Sequence, residues 1–226
     1  MAKKSKGNEQ VKESVSIEEL DAIEEMEESQ PEHPVIKEEK VKGPIAEGEF
    51  LEDKVIIWDK DQANRVYSEK YFGKWIDEEK IKYLLLSLEE AMLLLEREYL
   101  IIISKEKKLN AQEFYKICTS IDREFPHKFV VYRDLRNRGF IVKSGFKFGT
   151  HFRVYDRGVN PYKEGAKETK EHTKYNVHAV AENHTMSYQE WSRYVRLSQN
   201  IRAKAQLAVV DEEGSVTYYV ILRVRP

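Results

Sequence analysis

The stretch YRDLRNRGFIVKSGFKFGTHFRVYDRG, residues 132–158, followed after a polar excursion by HTKYNV, residues 172–177, decides the fold of this chain. Gly139 stands where a helix closes in a left-handed residue, so the run before it reads as a helix C-terminus. FIVKSG then reads as a strand, FKFGT as a glycine-punctuated turn, and HFRVYDRG as a second strand. His172 precedes a third strand, YNVHAVAE. This order puts a phenol, Tyr155, and an imidazole, His172, on neighbouring strand ends. Both groups can move protons, and no set of metal-ligating residue types surrounds either.

Around this stretch the remaining elements fall into two groups. Upstream, NAQEFYKICTSID has Phe114, Ile117, Cys118 and Ile121 at helical spacing, and Pro126 opens the helix that Gly139 closes. Downstream, SYQEWSRYVRLSQNIRAK reads as a helix capped by Ser187, and QLAVVDEEGSVTYYVILRV as a hairpin turning at Glu213–Gly214. Further upstream, LEDKVIIWD reads as a strand and NRVYSEKYFGKW as a second strand turning at Gly73. Leu84, Leu88, Ala91 and Leu95 approach helical spacing, with Ser87 as N-cap, and YLIII is a short buried strand. The fold class is α+β: a small N-terminal α+β domain over residues 50–104, then a C-terminal α/β domain over 105–226. The second has a mixed sheet and flanking helices, expected on one side of it.

Residues 1–49 differ in kind. They hold no aromatic residue, three prolines, and 14 Asp/Glu against 7 Lys, a net of −7. The whole-chain charge of −2 therefore leaves +5 for residues 50–226. Such a segment buries too little apolar surface to offset its ordering entropy and reads as a disordered acidic tail, with a transient helix allowed over residues 17–28. The mildly basic body suits a polyanion partner. A single cysteine, Cys118, excludes an internal disulfide and fits a reducing compartment. The basic N-terminus lacks the apolar segment of a secretory signal, and no apolar run reaches the ~20 residues of a membrane span. A soluble cytoplasmic protein is expected.

Residue types narrow the chemistry. Zinc needs Cys/His sets at short fixed spacings, and one cysteine with scattered histidines supplies none. A magnesium nuclease needs carboxylates on adjacent strands, whereas Asp156 and Glu182 stand only at strand ends. GFKFG lacks the Lys-Ser/Thr ending of a phosphate loop. Metal-free acid–base chemistry remains, and it suits RNA. A ribose 2′-OH attacks its own phosphate when one group removes its proton, another protonates the 5′-oxygen, and a cation stabilises the developing charge. Taken alone, a strand-end tyrosine and a loop histidine are ordinarily structural. A tyrosine at a pKa of ~10 is a poor base unless cations lower it; Arg153, Arg157 and Lys174 stand near Tyr155 in sequence. His151 shares a strand face with Arg153 and Tyr155 and reads as non-catalytic, and His178 as a strand-face residue.

RGFIVKSGFKFG (residues 138–149), Val154–Tyr155 and His172-Thr-Lys-Tyr-Asn-Val, with FGKW and LSLEEAMLLLE in the first half, resemble in order the motifs of the archaeal tRNA-splicing endonucleases. The resemblance covers about residues 50–226. It implies a metal-independent RNA endonuclease that cuts precursor tRNA at bulge-helix-bulge splice sites by 2′-OH transesterification, leaving 2′,3′-cyclic phosphate and 5′-hydroxyl ends. It needs no cofactor. Tyr155 would be the general base and His172 the general acid. Arg196 and Arg223 would sandwich a flipped bulge base. Two cut sites imply two held active sites, hence a homotetramer in which the acidic turn Asp211, Glu212, Glu213 docks into a partner's basic groove.

The chain departs from the family pattern in two places. The loop VNPYKEGAKETKE between Tyr155 and His172 is longer than in many relatives. The place of the third catalytic residue, a lysine, holds Ala203. Lys204, one residue on, could take the role if the helix ends there, and Arg202 is a second cationic candidate. The rival readings are a non-catalytic RNA-binding or assembly subunit and a magnesium-dependent DNA nuclease.

Overall fold

Strand alternation and helix caps lay out the chain in order. In a computed structural model, which describes residues 43–68, 70–78 and 81–224, β1 (Ala46–Leu51) and β2 (Lys54–Ile57) form a hairpin, followed by α1 (Lys60–Ser68), β3 (Lys74–Glu78) and β4 (Ile81–Leu86). Then come α2 (Leu88–Glu96), β5 (Leu100–Ser104), β6 (Lys107–Leu109), α3 (Ala111–Ile121), α4 (Phe125–Asn137), β7 (Ile141–Ser144) and β8 (Phe152–Tyr155). β9 (Tyr175–Ala181), α5 (Tyr188–Asn200), β10 (Lys204–Val210) and β11 (Val216–Ile221) complete the order. The first sheet runs β3-β4-β2-β1-β5-β6 and the second β11-β10-β9-β8-β7. Each is mixed, with one parallel pair: β1 with β5, and β9 with β10. The described residues up to Leu222 form one compact unit; Arg223 and Val224 belong to another. The transient helix considered over residues 17–28 lies outside the described residues.

Ser87 and Ser187 cap their helices as expected. Each side chain accepts a backbone N–H three residues on, while Glu90 or Glu190 reaches back to the cap amide. Gly139, at φ +86°, closes α4: its N–H donates to Arg136 O and that of Phe140 to Leu135 O.

Three expectations are corrected. Residues 64–68, read as part of a strand, belong instead to α1. Asp59 accepts the Gln62 N–H at 2.8 Å as an N-cap, and Ala63 and Val66, three apart, are buried. Leu84 belongs to β4; only the residues after Ser87 are helical. The helices of the second sheet do not share one side. α4 packs on the face of Phe152, Val154, Val177 and Ala179, whereas Tyr194 and Val195 of α5 pack with Ala205 on the other. The reason is β9, whose neighbours Asn176 and Val177, then Ala179 and Val180, are all buried, so both faces need cover. α5 also supplies the crossover that parallel β9 and β10 require.

β1 begins four residues inside the segment read as tail. Gly48 packs so closely on Val55 that a Cβ there would lie 2.6 Å from its Cγ1. Removing residues 1–48 would therefore cut into the first sheet.

Candidate active site

A rigid turn sets the start of β8. At Gly145 an added Cβ would collide with Thr150 Oγ1 and lie 2.9 Å from the Phe152 amide nitrogen, and Gly149 takes φ +67°. Buried Thr150 donates to Asn176 Oδ1 at 2.6 Å, and Asn176 Nδ2 donates to Ser198 Oγ at 3.0 Å. Turn, β9 and α5 are thus joined by a satisfied polar chain.

Tyr155 is the last residue of β8 and is only 3% exposed. The Arg153 guanidinium carbon lies 5.8 Å from its ring centroid and 5.1 Å from that of Phe148. His172, half-buried, follows a short 3-10 turn over Thr169–Glu171, three residues before β9. Lys204, exposed, opens β10 and donates its N–H to Lys174 O at 3.0 Å. Because β8 is antiparallel to β9 and β10 parallel to it, all three residues fall at one end of three adjacent strands.

Register separates them by face. Arg153 opposes Asn176, which opposes Ala205, so Tyr155 shares the α5 face. Lys204 opposes Tyr175, which opposes Val154, on the α4 face. The run read as helix through Lys204 is helical only to Asn200, so the helix ends before position 204, as the role considered for Lys204 requires. Arg202 takes φ +56° and donates its N–H to Gln199 O, while the Ala203 N–H bonds Ser198 O. This is a glycine-type helix ending made by an arginine. Ala203, the residue before β10, is buried at 6% exposure, and Ala205 within β10 lies on the Tyr155 face.

Arg196 is exposed on α5. It borders an open depression of about 460 Å³ with Tyr188, Gln189, Ser192 and Arg193. Arg223 is exposed in the second unit. The turn at Asp211 is closed by its own bonds, with Asp211 Oδ1 accepting the Ser215 N–H at 2.8 Å, and Glu212 and Glu213 are exposed.

Sequence reading missed a buried ion pair. Lys143 Nζ lies 2.8 Å from Glu90 Oε1 and donates to Gly73 O at 2.8 Å. Burial holds the Lys143 ammonium below the usual lysine range, against the opposing pull of Glu90. KSG was legible only as a strand motif; nothing local marks its lysine as buried. Cys118 is also inside the core, where burial pushes its thiol up to about 12, so it is no nucleophile. Among the described residues no three His, Cys, Asp or Glu side chains converge as a metal-ligand set.

His151 has a structural task. Its Nδ1 accepts the Ala179 N–H at 3.1 Å, and its ring stacks on His178 at 4.3 Å. Burial, then the neighbouring His178, pushes it down to about 2. An imidazole neutral in the fold and titrating near ~6.5 when unfolded stabilises fully above that pH and less as pH falls. Below about pH 6.5 each unit should remove about 1.4 kcal/mol through this group. Urea midpoints should therefore fall on acidification, and His151→Gln should flatten that limb; equal acid slopes in both proteins would contradict the assignment.

The family model described as tRNA intron endonuclease, N-terminal domain, matches residues 46–115, and that of the catalytic C-terminal domain matches residues 125–218. The tRNA-splicing endonuclease of Thermococcus kodakarensis is 37% identical over 169 residues, covering 75% of this chain and 92% of the relative. That of Methanothermobacter thermautotrophicus is 35% identical over 180 residues, covering 80% and 98%. A relative of the same name from Methanococcoides burtonii is 33% identical over 181 residues, which make up 49% of its length.

Proposed function

Because the chain belongs to the tRNA intron endonuclease family, we propose that it is an RNA endonuclease that cuts precursor tRNA at bulge-helix-bulge splice sites without a metal ion. The observation that carries this is the common strand end shared by Tyr155, His172 and Lys204. Tyr155 removes the 2′-OH proton, and the 2′-oxygen bonds to phosphorus. The bond from phosphorus to the 5′-oxygen breaks as His172 gives that oxygen a proton. The products are a 2′,3′-cyclic phosphate and a 5′-hydroxyl. Arg153, beside the Tyr155 ring, adds positive charge near the phenol. Arg196 contacts a splayed bulge base by stacking and cation–π contact, and Arg223 is a further RNA-binding arginine. The active form is a homotetramer, with the exposed Glu212 and Glu213 of the Asp211 turn seated in a partner's basic groove.

The test is cleavage of a prefolded bulge-helix-bulge RNA by the purified full-length chain in excess EDTA, with monovalent salt. Cyclic-phosphate ends are the expected result. Loss of cleavage that magnesium restores would overturn the metal-free mechanism.

A second reading, a non-catalytic subunit, is favoured by one observation: a buried alanine, Ala203, stands where the resemblance calls for a lysine. The exposed Lys204 must instead reach the Tyr155–His172 space around the strand end. If it supplies the cation, Lys204→Ala lowers the single-turnover rate by about 10²–10³-fold and Ala203→Lys adds little. An inert wild type rescued by Ala203→Lys would establish the subunit reading.

A further inference from the structure

The loop between Tyr155 and His172 is pinned at its middle to the other sheet. The Tyr162 hydroxyl donates to Gly73 O at 3.0 Å, and its ring stacks on Tyr67, with centroids 6.1 Å apart and planes at 29°. Lys143 Nζ lies 5.4 Å from the same ring centroid and bonds the same carbonyl. The anchor is itself fixed. The Gly73 N–H donates to Glu90 Oε1, and φ +74° with Leu84 Cγ 2.8 Å from an added Cβ confines that residue to glycine. Burial, then the Glu90 charge, raises the Tyr162 phenol above its ordinary range, so it stays a donor.

The next residue carries the tie onward. Lys163 Nζ grips both carboxylate oxygens of Glu171, at 2.6 and 2.7 Å, and Glu171 directly precedes His172. Glu171 Oε2 also accepts the Glu168 N–H at 2.8 Å, closing the turn that delivers His172. The Tyr162 end is held in turn by Asn160 Oδ1, which accepts the Tyr162 N–H, and by Lys167, which donates to Pro161 O. Tyr155 needs no such strut because β8 is paired on both sides. His172 lies outside any strand, so its placement depends on the loop.

We propose that Tyr162, acting through the adjoining Lys163–Glu171 pair, is the positioning residue that sets His172 against the scissile phosphate. This rests on His172 being the general acid. Tyr162 touches no reacting atom. Its anchor lies 89 residues away in sequence, at Gly73, so the strut makes the geometry of the acid depend on the packing of the first sheet. A misplacement of about 1 Å in such a group can cost about 10²-fold in rate.

A double-mutant cycle separates positioning from general structural loss. Tyr162→Ala should lower the single-turnover rate about 10–100-fold with RNA affinity unchanged. In a His172→Ala background the same change should have almost no further effect. Tyr162→Phe, which keeps the stacking, and Lys163→Ala should fall between wild type and Tyr162→Ala. The imidazole resonance of His172, followed in isotope-labelled full-length protein without RNA, supplies a readout independent of cleavage: it should shift or broaden in Tyr162→Ala. Additive rate losses, weakened RNA binding without a rate loss, or an unmoved His172 resonance would each overturn the strut. A wild type that fails to cleave, beside a resonance that moves as expected, would sink the enzymatic reading and leave the mechanical tie standing.

Discussion

Tyr155→Phe and His172→Ala should each lower the single-turnover cleavage rate by about 10²–10⁴-fold, the range expected if they are the proposed general base and acid, with RNA binding retained. The structure makes both substitutions clean. Tyr155 is buried opposite Ile141, and phenylalanine keeps the ring and its contact with Arg153 while deleting only the hydroxyl. His172 is half-buried beyond the end of β9, so removing its ring takes little from the core. His151→Ala is the discriminating control. It removes the acceptor of the Ala179 N–H and a stacked ring, so its effect belongs to stability. Near-wild-type cleavage by His172→Ala, beside a folded but inert His151→Ala, would move the acid to the other histidine.

The largest expected loss of stability is at Lys143. Its side chain and that of Glu90 are 5% and 8% exposed, so neither charge has water in reserve. Lys143→Met leaves the Glu90 carboxylate buried with, among the described residues, the Gly73 and Ser87 amides donating to it. Breaking one side of such a pair costs about 3–5 kcal/mol. Denaturant unfolding at fixed protein concentration should show that loss. Adding Glu90→Gln to Lys143→Met should recover much of it, because the uncompensated charge is gone. A loss below about 1 kcal/mol in the single variant would mean that the carboxylate finds water or a proton without disturbing the fold. Since Lys143 and Tyr162 share the Gly73 carbonyl, Lys143→Met should also slow cleavage through the His172 strut.

Local chemistry made much of this protein legible. Ser87 and Ser187 could be read as caps because a helix leaves its first amides unsatisfied and a nearby hydroxyl answers them. Gly139 could be read as a stop because its left-handed backbone favours glycine. Tyr155 and His172 could be nominated from local, ordered motifs, and the structure places them at one end of adjacent strands. Where local signals were weak or atypical, the reading failed. Residues 64–68 looked like a strand because the buried stripe of their helix is narrow, Ala63 and Val66, and Ala63 lies before the run that was read. The end of α5 at Asn200 was hidden because an arginine, not a glycine, holds the left-handed position.

By its own pattern the sequence determined the α+β class, the order of the second-half strands, and the end of the second sheet to which Tyr155 and His172 belong. Tertiary structure alone decided which faces are covered and which distant groups meet. Whether position 203 or 204 faces Tyr155 depends on the register of β8, β9 and β10, and a shift of one residue would exchange the faces. Lys143 met Glu90, and Tyr162 met Gly73, across 53 and 89 residues. Such contacts are set by how two sheets pack against one another, and no local propensity encodes that distance.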